Sequence, residues 1–355
     1  MPLSEEVSGG ISRRFIVAPR NLFNNGAQNP VNFWGGVFDP FNNQAIIGGN
    51  NSYIGFMSDL QGGKITESAA LPSTAIANGD MLIVKIDFNN QTIYAMDPGN
   101  NSEEIAASTD GGVSWSDIGA NLPAGFYNDI SSWRRIAGNN QIVTARGGGA
   151  GGGQVSDDDG ATWAGFDTQQ PGPGADTDYI TTDPEHKWLV TLGDNGITTT
   201  DEDDVTVPGN WNVLDANTDF GVTSGFGAFA FNNDGTKFIA VAISGMLLTT
   251  EDFINWIEID RDLNPFWNVG NVGSQMNGIV HVAALNGWIL YSDDDQGNMA
   301  FVPSNESPVN TIFAGNVFGA TVQASQPNFP TASVSDGDSV VIALSSNKSI
   351  VLLRE

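Results

Sequence analysis

The sequence predicts an all-β protein assembled by repetition of one small sheet. Three observations carry this. No stretch of the 355 residues keeps apolar side chains at i, i+3, i+4 and i+7 over three turns, so amphipathic helices are not expected. Short runs of β-branched and aromatic residues recur between clusters of Gly, Asn, Asp and Pro. One spaced motif returns at intervals that suit a four-stranded unit.

In chain order, the strand-like runs include 14–18, 81–88, 92–96, 188–192, 237–241, 278–283, 339–345 and 349–353. Asn89-Asn90, Asp234-Gly235 and Asn286-Gly287 stand beside such runs, and dipeptides of this kind supply the positive φ of tight hairpins. Many short strands at even spacing suit a sandwich, a barrel or a propeller.

Composition narrows the function. Lys+Arg number 13 and Asp+Glu 41, a formal charge of −28, which argues against nucleic-acid and anionic-membrane binding. A hydrophobic content of 40% supplies a core. With no Cys, disulfides, thiol catalysis and Cys-based zinc sites are excluded. The first fifteen residues do not read as a signal peptide, so synthesis in a cytosol is expected. Apolar stretches such as 81–86 and 340–344 fall far short of the ~18–20 residues of a membrane span.

The repeat decides the architecture. Ser108-Thr-Asp110-Gly-Gly112-Val-Ser114-Trp115 and Ser156-Asp-Asp158-Asp-Gly160-Ala-Thr162-Trp163 both read S-x-D-x-G-x-[ST]-W. Degenerate copies stand at Thr250-Glu-Asp252 with Trp256, at Thr199-Thr-Asp201 with a delayed Trp211, at Ser292-Asp-Asp294, and at Met57-Ser-Asp59. Their aspartates are separated by 51, 48, 43, 51 and 42 residues.

This pattern resembles the Asp-box, or BNR repeat, of sialidase-like and sortilin-like β-propellers. The resemblance implies a hairpin turn between the third and fourth strands of each blade. There the Asp accepts backbone N–H groups, the Gly takes a positive φ and the Trp packs into the blade. It further implies one β-propeller domain over residues 1–355, built of four-stranded blades. Six blades carry boxes. A seventh, C-terminal blade is completed by residues 14–18, which close the ring, and 303–331 is read as an insertion within it. Long connections at 167–178 and 260–275 are expected on a rim.

No catalytic, cofactor or metal site is assigned. The box aspartates and the triplets 157–159 and 293–295 serve turns and lack the spacing of a calcium loop. The glycine run 146–153 lacks the following helix that a phosphate-cradling loop needs. Sialidase chemistry lacks its opening Phe/Tyr-Arg-Ile-Pro motif, because Arg13-Arg14-Phe15 has the order reversed. Asp129, Asp178, Glu185 and Asp219 are the carboxylates weighed for a glycosidase pair. His186 and His281, the only histidines, are read as structural.

The expected function is therefore a non-enzymatic interaction propeller, with Phe266, Trp267 and Phe329 as rim contacts. The Asn-, Gly- and Ser-rich, Lys-poor composition resembles that of bacteriophage virion proteins. That resemblance implies virion subunits or a host surface as protein partners, within a homo-oligomer or larger assembly, and a location in the virion. A glycoside hydrolase or a cellular assembly factor are the alternatives.

Overall fold

The computed structural model describes residues 2–6, 12–21, 33–49, 52–60, 65, 67–71, 83–87, 90–98, 104–134, 140–147, 151–172, 174–222, 225–242, 246–259, 276–292, 299–304, 310–313, 333–335, 340–344 and 348–354. Among these, 29 strands are joined by turns and two 3-10 turns, with a single α-helix of five residues.

An N-terminal hairpin, β1 (Pro2–Glu6) and β2 (Ser12–Asn21), precedes a run of antiparallel sheets. The first comprises β3 (Phe33–Asp39), β4 (Gln44–Gly49), β5 (Tyr53–Met57) and β6 (Glu67–Ala70). The second comprises β7 (Ile83–Ile86), β8 (Ile93–Met96), β9 (Ile105–Ser108) and β10 (Ser116–Asp117). The third holds β11 (Tyr127–Arg134), β12 (Asn140–Arg146), β13 (Gly152–Ser156) and β14 (Ala164–Phe166). The fourth holds β15 (Thr177–Thr182), β16 (Leu189–Gly193), β17 (Gly196–Thr200) and β18 (Asn212–Asp215), and α1 (Ala216–Phe220) follows it. The fifth is β19 (Phe226–Phe231), β20 (Phe238–Ala242), β21 (Leu247–Thr250) and β22 (Trp256–Ile259). The sixth is β23 (Met276–Val282), β24 (Gly287–Ser292), β25 (Met299–Pro303) and β26 (Asn310–Phe313). Last come β27 (Ser333–Ser335), β28 (Val340–Leu344) and β29 (Lys348–Arg354).

Residues 15–21 of β2 pair with the C-terminal strand β29. Ile16 opposes Leu353 and Ala18 opposes Val351. The expectation of seven four-stranded blades is corrected. Six sheets have four strands, whereas the C-terminal sheet has five, in the order β1-β2-β29-β28-β27. The reason is that β2 turns back into β1, which adds a strand beyond the expected one. The segment 303–331 is also corrected. Residues 310–313 are the fourth strand of the sixth sheet rather than part of an insertion.

The chain divides into two compact units. One holds Met1–Ala69, Gly227–Glu251 and Asn255–Glu355; the other holds Ala70–Phe226 and Asp252–Ile254. In the second unit the first strands β7, β11 and β15 lie side by side. In the first unit β27 lies between β23 and β3.

Apolar side chains fill the space between neighbouring sheets. Tyr94, Met96, Ile105, Ile130 and Ile142 form one cluster, Trp133, Val143, Val155, Ile180 and Trp211 another. In the first unit Ile239, Leu247, Ile279 and Trp288 do the same. Both faces of the middle strands are buried, which is why β16, β17 and β20 read as continuous apolar or Thr runs rather than as alternation.

Trp211 is 7% exposed, stacks on Phe166 at 5.8 Å and donates its indole N–H to the Val205 carbonyl. Trp115 and Trp163 are only half-buried, because each lies where a turn enters a short outer strand. We therefore expect Trp211→Ala to cost about 3–5 kcal/mol, and Trp115→Ala about 1–2 kcal/mol, in chemical denaturation. Equal losses would contradict these packing roles.

Candidate functional site

The two complete motifs form turns with the same hydrogen-bond pattern between third and fourth strands. Ser108 Oγ accepts the Gly112 N–H at 2.8 Å and donates to Asp110 Oδ1 at 2.8 Å. Asp110 accepts the Ser114 N–H at 2.8 Å as well as its hydroxyl. In the second turn Ser156 bonds Gly160 and Asp158 at 2.8 and 2.9 Å, and Asp158 accepts both Thr162 donors. Gly112 and Gly160 have φ of 91° and 86°, which a side chain would strain. At Gly160 a Cβ would also sit 2.3 Å from the Ile118 carbonyl oxygen of the preceding sheet. Ser114, by side chain and backbone, with help from Ser108, holds the Asp110 carboxyl down at about 2. Thr162 lowers Asp158 in the same way. Both carboxylates are engaged within their own turns.

The degenerate copies keep the strand register and change the turn. Thr250 opposes Trp256, and its hydroxyl bonds the Asn255 carbonyl, while Asp252 accepts the Ile254 N–H. The shortened turn puts Phe253 at φ 55°, and its buried ring meets Trp188 at 4.9 Å. In the fourth sheet Thr199 pairs with Asn212, so Thr200, not Thr199, faces Trp211. Thr200 Oγ1 accepts the Glu202 N–H, so this motif lies one residue later than the spaced pattern puts it. The copy at Asp294 and the rim residues Phe266, Trp267 and Phe329 lie outside the described residues.

A second repeat escaped the sequence reading. First and second strands are joined by turns that open on Asp or Asn and close five residues later. Asp39 accepts the Phe41 and Asn42 N–H groups before Gln44. Asp183 accepts from Glu185 and Trp188, and Asn232 accepts the Lys237 N–H at 2.9 Å. Asp87 closes on Thr92 through backbone bonds. The signal was present as Asp39-Pro, Asp183-Pro and Asn232-Asn, each at a strand end.

Of the carboxylates weighed for hydrolysis, Asp129 and Asp178 stand on the adjacent first strands β11 and β15, whereas Glu185 and Asp219 are exposed elsewhere. Asp129 is 1% exposed on β11 and accepts the Ile130 N–H at 2.8 Å, the Ile180 N–H at 3.1 Å and the Lys85 ammonium at 3.4 Å. Burial raises its pKa, against the opposing pull of Lys85 and the two amides. Glu185 is exposed in the β15–β16 turn, and Asp219 is exposed on α1.

Asp178 occupies the bulge at the start of β15, as Asn128 does at the start of β11. Asn128 Nδ2 lies 3.4 Å from Asp178 Oδ1. Burial first, then Asp194 and Asp176, pushes the Asp178 carboxyl up to about 6.

His186, at φ 54°, lies buried with Nε2 3.4 Å from Ser132 Oγ. His281 accepts the Asn233 N–H at Nδ1 and meets Trp288 edge-on at 5.3 Å. Burial lowers its pKa to about 4. Trp133 and Trp288 are fully buried, and the half-buried Trp188 lies beneath Lys187. Among the described residues, no three His, Asp or Glu side chains are grouped as a metal ion would require.

Solved structures resemble the chain along nearly its whole length. A catalytically inactive variant of virginiamycin B lyase from Staphylococcus aureus with quinupristin matches 96% of this chain and 99% of its own, at TM-score 0.67 and 15% identity. The fold is a β-propeller with four-stranded blades. The WD40 repeats of RRP9 match 95% of this chain and 97% of their own, with TM-score 0.64 and 10% identity. U3-55K matches 94% and 98%, with TM-score 0.61 and 10% identity. At these identities the likeness speaks for the fold alone. No protein-family model matches the chain. No curated protein matches it.

Asp178 gives a pH test. Its folded pKa of about 6 exceeds its ordinary value of 3.8, so the protonated form is favoured by folding. Its stabilising contribution is full below about pH 4 and lost as pH rises through about 6. Asp178→Asn should therefore match the parent below pH 4 and exceed it in stability at pH 8. A variant that loses stability at pH 8 would contradict the assignment.

Proposed function

We propose that the chain is a non-enzymatic interaction propeller, one domain over residues 1–355, and a bacteriophage virion component of the tail, nozzle, capsid-decoration or host-adhesion kind. The repeated turns are best read as Asp-boxes. The observation that carries the interaction reading is the use made of the conspicuous acids. Asp39, Asp110, Asp129, Asp158 and Asp183 all accept hydrogen bonds from the chain's own backbone. Large apolar side chains meanwhile stand in water at turn tips and outer strands. Val113 is 85% exposed and Ile254 75%, and Ile257 and Val213 are exposed on fourth strands. Such residues suit contacts with other proteins, whether further copies, virion subunits or a host surface. The virion reading is supported by composition: 43 Gly, no Cys and a charge of −28.

Asp178 favours a second reading, a glycoside hydrolase. A carboxyl held protonated to about 6, with Asp194 and Asp176 nearby, is the state a general acid needs.

Hydroxyl-radical footprinting of the chain in purified virions against the free chain tests the first reading. Protection is expected at Val113 or Ile254. Absence of the chain from virions, or release of sugar by the purified protein that Asp178→Asn abolishes, would favour the second.

A further inference from the structure

A groove of about 330 Å³ opens at one end of the third blade, lined by Arg146, Gly153, Gln154, Gly165, Phe166, Asp167, Thr206 and Pro208. Arg146 ends β12, opposite Gly152 of β13. Among the described residues its guanidinium forms no ion pair or hydrogen bond, in a chain where acids outnumber bases threefold. Lys85 and Lys237, by contrast, each reach a carboxylate.

The second polar group is more deeply set. Gln154 is 6% exposed, and its backbone is held by Thr144. No described residue bonds its side-chain amide. That amide lies over Gly165, where a Cβ would stand 3.5 Å from Nε2 and 4.0 Å from Oε1. The amide is not among the described polar groups sealed from solvent without a partner, so it stands open to the groove, free to donate and to accept.

Glycine keeps this ground bare. A Cβ at Gly152 would lie 2.1 Å from the Phe166 carbonyl oxygen, and one at Gly153 would lie 1.7 Å from that of Thr144. No side chain fits at either position, so Gly152 and Gly153 place no side chain over the groove, while the Arg146 guanidinium lies against Gly125. Phe166 is fixed by its stack on Trp211 and offers a rigid wall, with Pro208 beside it. Thr206 donates its hydroxyl to Asp204, so toward a ligand it presents only acceptor lone pairs. Asp167 accepts the Gln169 N–H at one oxygen, and its other oxygen faces no described donor.

We propose that this groove binds one carboxylate-bearing sugar unit, a uronic acid. The Arg146 fork matches a carboxylate. Asp167 and Thr206 accept sugar hydroxyls, Gln154 both donates and accepts, and Phe166 and Pro208 meet the apolar face of the ring. The charge of −28 repels polyanions, so a single negative charge is preferred. This site goes beyond the interaction reading and does not depend on it.

The test is a titration of the whole chain with methyl glucuronide, followed by NMR of backbone and Gln side-chain amides. Saturable shifts are expected at Gly153, Gly165 and the Gln154 amide. Methyl glucoside and acetate should each bind about tenfold or more weakly. Arg146→Gln should weaken binding about tenfold. Gly165→Leu, placed where a Cβ makes only ordinary contacts, should block it. Equal binding of the glucoside or of acetate would overturn the proposal, as would shifts elsewhere or none at all. Because mapping on the parent chain stands alone, a variant that fails to fold leaves the proposal open to refutation.

Discussion

Asp129 ties three blades of the second unit together. Its carboxylate takes Lys85 from β7, its own neighbour Ile130 on β11, and the Ile180 N–H from β15. The bulge between Tyr127 and Asp129 in β11 re-aims the side chain across the gap rather than along the sheet. Hydrophobic packing between blades is non-directional and tolerates small slips. A buried carboxylate does not, since losing a partner leaves an unpaired polar group at about 1–3 kcal/mol, or more for a charge. Asp129 thus fixes the order and height of three first strands that apolar contact alone would hold loosely.

The turns follow the same logic at shorter range. Each blade needs its hairpins closed without help from distant residues, and Asp, Asn, Ser or Thr at strand ends supply this. Asp39, Asp183 and Asn232 cap one kind of hairpin, Ser108 and Ser156 with their aspartates the other. Because the closure is local, a blade tolerates changes in loop length. The turn before Trp211 is longer than that before Trp115, yet each Trp stands at the entry to its fourth strand.

Legibility followed this division between local and distant contacts. The motifs at Ser108 and Ser156 could be read because every partner lies within seven residues. The spaced pattern at Thr199 missed by one residue because a long turn hides the register, which only strand pairing fixes. The added strand β1 and the fourth strand at 310–313 are short and polar or flanked by turn formers, so periodicity gave no sign of them. Asp129 was singled out only as one of four acids for a hydrolase pair, and its tie between strands stayed hidden because its partners lie 44 and 51 residues away. The groove at Arg146 was hidden in the same way. The glycine run after it reads as a loop until strand pairing lays Gly152 beside Arg146.

Native-state amide hydrogen exchange at Ile180 tests the role of Asp129 most directly. In the parent chain this amide should exchange only with global unfolding. In Asp129→Ala it should exchange through local opening, far faster than amides in the middle strands β16 and β17. Unchanged protection at Ile180 would mean that packing alone positions these strands, and would contradict the account.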